Sequence, residues 1–171
     1  MRAQKRLVVG LCGISCTGKS AIAKTLATLL DCTLRRVGDA IRARSKEKGI
    51  AHDALTLNDH QTIDDTTRHL AQSGQSCLII DGTFLDALLS DMRNVIKIEL
   101  TCEDAERRRR FANREGNDGI QIRDDCDRRL RYSLHGSRRG ETDLKIDTTS
   151  KTPDEVAREI MLWLQTNTTK I

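Results

Sequence analysis

The stretch Arg6-Leu7-Val8-Val9-Gly10-Leu11-Cys12, followed at once by Gly13-Ile14-Ser15-Cys16-Thr17-Gly18-Lys19-Ser20, decides the fold. A short apolar run bounded by glycine reads as a strand buried on both faces. The next eight residues satisfy G-x-x-x-x-G-K-[ST], and Lys19 to Leu30 has helical spacing. In a strand, loop and helix of this kind the glycines let backbone N–H groups curl round an anion, and the helix N-terminus adds partial positive charge. The lysine reaches the β and γ phosphates of a nucleoside triphosphate, and the hydroxyl ligates Mg²⁺. Gly13, Ile14, Ser15, Cys16, Thr17, Gly18, Lys19, Ser20 and Ala21 are therefore the candidate residues for ATP, with Ser20 also the candidate for Mg²⁺. A chance glycine-rich turn would match in about one chain in a hundred of this length, and the strand-helix context lowers that further.

Outward from this loop, strands and helices alternate. Cys32 to Val37 reads as a second strand, Asp39 to Lys48 as a helix ended by Gly49, and about Ala54 to Gln72 as a polar helix closed by Gly74. Cys77 to Asp81 is an apolar run ending in an acid, and Asn94 to Leu100 a fourth strand. Helices are expected at Glu103 to Asn113 and Asp124 to Tyr132. Leu144 to Asp147 is a fifth strand, and Pro153 to Leu164 a closing helix with Thr152 as N-cap. Right-handed crossovers then give a three-layer α/β/α P-loop NTPase fold around a mostly parallel five-stranded sheet. Its ligands belong beyond the carboxyl ends of the strands. One domain is expected, with a core of about 1–37, 75–113 and 141–171. Segments 38–74 and 114–140 do not look like core and are expected to be mobile flaps over that edge.

Composition narrows the function. The 171 residues carry a formal charge of +4, with arginines crowded between Arg107 and Arg139 but interleaved with acids. That mixture fits a phosphate clamp better than a basic stripe for nucleic acid. Phe84, Phe111, Tyr132 and Trp163 are the aromatic residues, too few for a base-stacking platform. Cys12, Cys16, Cys32, Cys77, Cys102 and Cys126 have no metal-ligand spacing and read as reduced, mostly buried thiols. Positive charge followed by an apolar stretch at Met1 to Cys16 has the outline of a signal peptide, but Gly10, Gly13 and the loop make it a buried strand. No run reaches the length of a membrane span. A cytoplasmic protein is expected.

There is no D-x-x-G and no N-K-x-D in the chain, which argues against a GTPase. The length suits a small kinase. Val37-Gly38-Asp39-Ala40-Ile41-Arg42, Arg110-Phe111-Ala112-Asn113-Arg114-Glu115-Gly116, Arg131-Tyr132, Asp143 to Thr149 and Thr152 to Val156 together resemble the nucleoside monophosphate kinases, closest to short cytidylate kinases of the archaeal type. The resemblance runs over nearly the whole chain. It implies an acceptor-binding region at 38–74 and an arginine-rich lid at 114–140.

On that resemblance Arg42 grips the acceptor's phosphate, Asp39 helps build the site or caps a helix, and Asp81 holds Mg²⁺ through water. Arg110, Arg114, Arg123 and Arg131 are the candidate lid arginines, neutralising the transferring phosphoryl group, with Arg110 also against adenine. Of the four histidines only His60, with Asp59, is a candidate for contacts to the acceptor's base or hydroxyls. Cys16 is either an oxidation-sensitive thiol or a small residue that fits the loop. One departure stands out: Asp81-Gly82-Thr83-Phe84-Leu85 has Thr83 where the family carries a second phosphate-gripping arginine. Either Arg68 or Arg93 supplies that charge, or the acceptor is no nucleoside monophosphate but a metabolite or nucleoside phosphorylated on a hydroxyl, with Asp39 or Asp81 as base. From other classes, a nucleic-acid-binding P-loop protein and a nucleotide sensor without turnover also remain open.

Overall fold

The computed structural model describes residues 6–73 and 77–167. Five parallel strands form one sheet: β1 (Leu7–Cys12), β2 (Thr33–Arg36), β3 (Cys77–Asp81), β4 (Ile96–Thr101) and β5 (Leu144–Asp147), in the order β2-β3-β1-β4-β5. The helices among the described residues are α1 (Lys19–Leu30), α2 (Val37–Lys48), α3 (Leu57–Gln72), α4 (Leu85–Leu88), α5 (Asp104–Glu115), α6 (Ile120–His135) and α7 (Pro153–Asn167), with a 3₁₀ turn at His52–Ala54. The expected three-layer α/β/α arrangement is what the chain adopts.

Continuous apolar strands explain the layering. On one face Val9, Leu11, Ile79, Ile98 and Leu100 meet Ile22, Ala23 and Leu26 of α1 and Val156, Ala157 and Ile160 of α7. On the other, Val8, Leu78 and Ile80 meet Ala71 of α3 and Leu85, Leu88 and Leu89 around α4. Burying one such aliphatic side chain is worth about 1.5–3 kcal/mol, so the two clusters hold the sheet from both sides. Register then sets the chemistry. Leu11 lies opposite Asp81, and Asp81 opposite Arg36, so the loop after β1, the acid ending β3 and an arginine ending β2 share one carboxyl edge.

Helix bounds differ from the sequence expectation in instructive ways. The second helix starts at Val37, straight out of β2, with Arg36 as N-cap, so Asp39 lies inside the first turn and is not the cap. The polar third helix starts at Leu57 behind a capping box of Thr56 and Asp59. The sixth runs from Ile120 to His135, well beyond the expected span, and α4 was not foreseen. Thr152 does cap α7, in a reciprocal pair with Glu155. Gly74, expected to close α3, lies outside the described residues.

The two segments read as non-core also contribute to it: Ile63, Ala71 and Ile120 are buried. The reading of six reduced thiols is corrected at one pair. Cys32 and Cys77 are joined by a disulfide, because the register brings the starts of β2 and β3 to a Cα separation of 4.8 Å although the residues are 45 apart in sequence. Of the free thiols Cys12 is buried, while Cys16, Cys102 and Cys126 have solvent contact. Among the described residues no helix is long and apolar enough to cross a membrane.

Candidate active site

At the carboxyl edge of the sheet, where the strand order reverses between β1 and its neighbours, a cleft of about 810 Å³ opens onto the loop between β1 and α1. Gly13 has φ +136, and a side chain there would press into the Leu100 carbonyl; Gly18 has φ +88. Both positions therefore need glycine. Cys16 takes φ +66 without being glycine, which marks the loop as shaped by its surroundings.

Those surroundings are specific. Thr17 is buried and donates to the Ile14 carbonyl at 3.0 Å. Thr148, buried after β5, donates to the Thr17 carbonyl at 2.8 Å. Arg107 is 3% exposed and donates through Nε to the Ser15 carbonyl at 3.0 Å while its other nitrogens hold Asp104 at 2.8 Å and Asp124 at 2.6 Å. Ser15 Oγ donates to Asp127 Oδ2 at 2.9 Å. The loop is thus held open by β5, α5 and α6 together.

Lys19 is buried, its ammonium donating to the Ile14 carbonyl at 2.8 Å. Burial pushes its pKa down from the ordinary lysine value, opposed by Asp81 and Asp127 nearby. Ser20 Oγ donates to Asp81 Oδ2 at 2.6 Å, and Asp81 is 6% exposed. A hydroxyl beside a carboxylate is the donor set that Mg²⁺ uses in such loops, one ligand directly and one through water. Among the described residues no group of three or more His, Cys, Asp or Glu gathers where it could hold a metal ion.

Of the arginines singled out in the sequence, Arg110, Arg114 and Arg123 line the cleft. Arg110 donates to the Thr148 carbonyl at 2.7 Å and pairs with Glu106; Arg109 and Arg110 together hold the Glu106 carboxyl down to about 2. Arg114 lies over the Phe111 ring at 5.7 Å, and Arg123 sits 3.3 Å from Asp127. Arg131 grips Asp86 with two bonds, at 3.0 and 2.6 Å, and its guanidinium lies 5.8 Å from the centre of the Phe84 ring, which lines the cleft. Arg42 and Thr83 line the cleft, whereas Asp39 does not and is instead paired with Arg42 and, at 3.6 Å, with Arg36. Arg68 is spent on Asp91 at 2.9 and 2.8 Å, and neither Arg68 nor Arg93 reaches the cleft.

His60 lines the cleft, its pKa lowered by burial. Asp59 does not reach it, being fully buried between Lys48 at 2.7 Å and Arg44 at 2.9 Å. Cys12 donates to the Ile98 carbonyl at 3.4 Å, and burial, with Asp86 and Glu99, pushes its thiol up to about 12, leaving it inert. Sequence reasoning missed Arg107, Asp127, Thr148, Arg36 and Asp64 at the site. A faint signal existed for two: Asp127 sits one helical turn from Arg123, and Thr148 follows the acid that ends β5.

The AAA domain family model matches residues 9–131, from β1 through most of α6. No curated protein sequence matches the chain significantly. Among solved structures, an uncharacterized protein from Eubacterium ventriosum is 16% identical with a TM-score of 0.71, covering 95% of this chain and 100% of that one. A shikimate kinase from Acinetobacter baumannii, in complex with shikimate, is 15% identical with a TM-score of 0.68, covering 96% of each chain. The APS kinase of Mycobacterium tuberculosis, in complex with AMPPNP and APS, is 14% identical with a TM-score of 0.61, covering 94% of this chain and 98% of that one. At these identities the likeness is one of fold.

Proposed function

The chain belongs to the AAA domain family, and on that footing we propose that it is an ATP- and Mg²⁺-dependent kinase that moves the γ-phosphoryl group to a small acceptor, a nucleoside monophosphate of the cytidylate kind being favoured. The observation that carries this reading is the juxtaposition at one sheet edge of Lys19, the Ser20–Asp81 pair and the cleft-lining Arg110, Arg114 and Arg123. Main-chain amides of Gly13 to Ser20 with Lys19 take the polyphosphate, and Ser20 with Asp81 takes Mg²⁺, which supplies charge neutralisation at the phosphates. Arg110, Arg114 and Arg123 spread positive charge over the oxygens of the transferring group. Arg131, paired with Asp86 beside the cleft, is a further lid arginine of this reading. Catalysis is positioning and electrostatics without a covalent intermediate.

The acceptor faces the part of the cleft lined by Arg42 and His60 of the segment 38–74 and by Thr83 after β3, and the segment 114–140 acts as the lid. A second reading, a kinase for a hydroxyl of a metabolite or nucleoside, is favoured by Thr83 lining the cleft where the resemblance expects arginine. A coupled assay of ADP release over nucleoside monophosphates, nucleosides, sugars and hydroxy acids separates the two. Acceleration by a monophosphate supports the first reading. Acceleration by neutral hydroxyl compounds alone overturns it in favour of the second.

A further inference from the structure

Arg36 ends β2 opposite Asp81, lines the cleft, and is matched by none of the motifs in the sequence. Its Nη1 is 3.6 Å from Asp39 Oδ2 and its Nε 3.7 Å from Asp81 Oδ2, attractive separations that exceed hydrogen-bond length. Nε is shut off from solvent and has no hydrogen-bond partner. A buried donor left in that state is unfavourable, and a ligand oxygen that reaches it relieves the cost. Arg42 reaches the other oxygen of the same Asp39 carboxylate, and its guanidinium passes 3.5 Å from the point where a side chain on Gly38 would begin. Two guanidinium forks thus flank one half-exposed carboxylate, with Asp81 the second acid beside Arg36.

We propose that Arg36 and Arg42 form the seat for an anionic group of the acceptor, a phosphomonoester dianion, with Asp39 holding both forks when the seat is empty. Arg36 supplies the second charge that Thr83 does not. The inference rests on the reading above, in which the loop Gly13 to Ser20 takes the donor and leaves this wall to the acceptor. Guanidinium forks match the oxygen spacing of phosphate, so the seat selects a phosphate-bearing acceptor over its neutral counterpart.

The test fills the loop first with Mg-AMPPNP and then titrates inorganic phosphate by calorimetry into the wild type, Arg36→Ala, Arg36→Lys and Arg42→Ala. The Mg-AMPPNP titration of each protein serves as the control for folding. The loaded wild type takes up one phosphate; Arg36→Ala and Arg42→Ala each weaken it by about tenfold or more, and Arg36→Lys, a point charge without the fork, falls between. In the same assay a nucleoside monophosphate competes with phosphate and its nucleoside does not. No uptake by the loaded wild type, or equal affinity in Arg36→Ala, overturns the seat. Should Mg-AMPPNP itself fail to bind, the wider reading falls, and the same phosphate comparison in a Lys19→Ala background, where the loop is silenced, still decides for or against Arg36.

Discussion

Ser15 Oγ donates a 2.9 Å hydrogen bond to Asp127 Oδ2, so a carboxylate of α6 rests against the loop whose amides are shaped for an anion. Asp127 also holds Arg123 at 3.3 Å and raises the proton affinity of Lys19. It stands where an incoming triphosphate meets like charge, and the arginine it holds is one proposed to serve that triphosphate.

Replacing Asp127 by Asn keeps an acceptor for Ser15 and removes the charge. Two unit charges about 8–10 Å apart at an effective dielectric near 20 repel by about 2 kcal/mol, before screening by salt. Asp127→Asn is therefore expected to bind Mg-ATP about three- to tenfold tighter in a calorimetric titration at low salt, with the gain shrinking as salt is added. Equal or weaker binding would show that Asp127 is no obstacle to the triphosphate.

Arg107 was the arginine least distinguished by its sequence, one of four in a row, and it is the one buried. Arg107→Ala strips partners from Asp124 and from the Ser15 carbonyl and is expected to cost about 2–4 kcal/mol, as breaking a buried pair does. For a chain of this size that lowers the melting temperature by roughly 5–15 °C, read by circular dichroism. Arg109→Ala, whose side chain is exposed, is the comparison and should stay within about 0.5 kcal/mol of the wild type.

Two of the acids of α3, Asp64 and Asp59, titrate in opposite directions. Burial, with Asp65 beside it, raises the Asp64 carboxyl to about 6, and its neighbour His135, 3.5 Å away, has its own pKa lowered by burial and by Arg131 and Arg138. A raised carboxyl pKa means that the fold favours the protonated acid, so this contribution is full below about pH 4 and is lost as pH rises through about 6. Asp64→Asn is expected to stabilise the protein by about 1–2 kcal/mol at pH 7.5 and not at pH 4. Asp59 has its pKa lowered by hydrogen bonds from Lys48, Thr56 and Arg44, so its contribution is present above the ordinary carboxylate range and disappears in acid. Asp59→Asn should accordingly destabilise at pH 7.5, with the difference from wild type closing as pH falls. Melting temperatures of Asp64→Asn across pH 4 to 8, and of Asp59→Asn from pH 7.5 down to about pH 2, check the two signs.

These particulars show what a sequence exposes and what it hides. The sheet and the loop were legible because their signals are local: apolar runs such as Cys77 to Asp81, and eight contiguous residues from Gly13 to Ser20. Thr152 as the cap of α7 was legible for the same reason. The Cys32–Cys77 disulfide, Arg36 beside Asp81, and Arg107 beneath Ser15 depend on which strands and helices become neighbours, and no spacing along the chain encodes that. Arg131 shows another hidden relationship: a motif match put it among the lid arginines, and its bidentate pairing with Asp86 of α4 follows from no spacing along the chain. Four-residue α4 escaped notice because Leu85 to Leu88 is too short to show helical periodicity.

The most direct test of the account is a calorimetric titration of Mg-ATP into the wild type and into Lys19→Ala, with circular dichroism confirming that both are folded. The account predicts saturable one-to-one binding by the wild type and a loss of about a hundredfold or more without the Lys19 ammonium, the scale of a buried charge-assisted contact. Binding of equal strength in the two proteins, or none in the wild type, would contradict it.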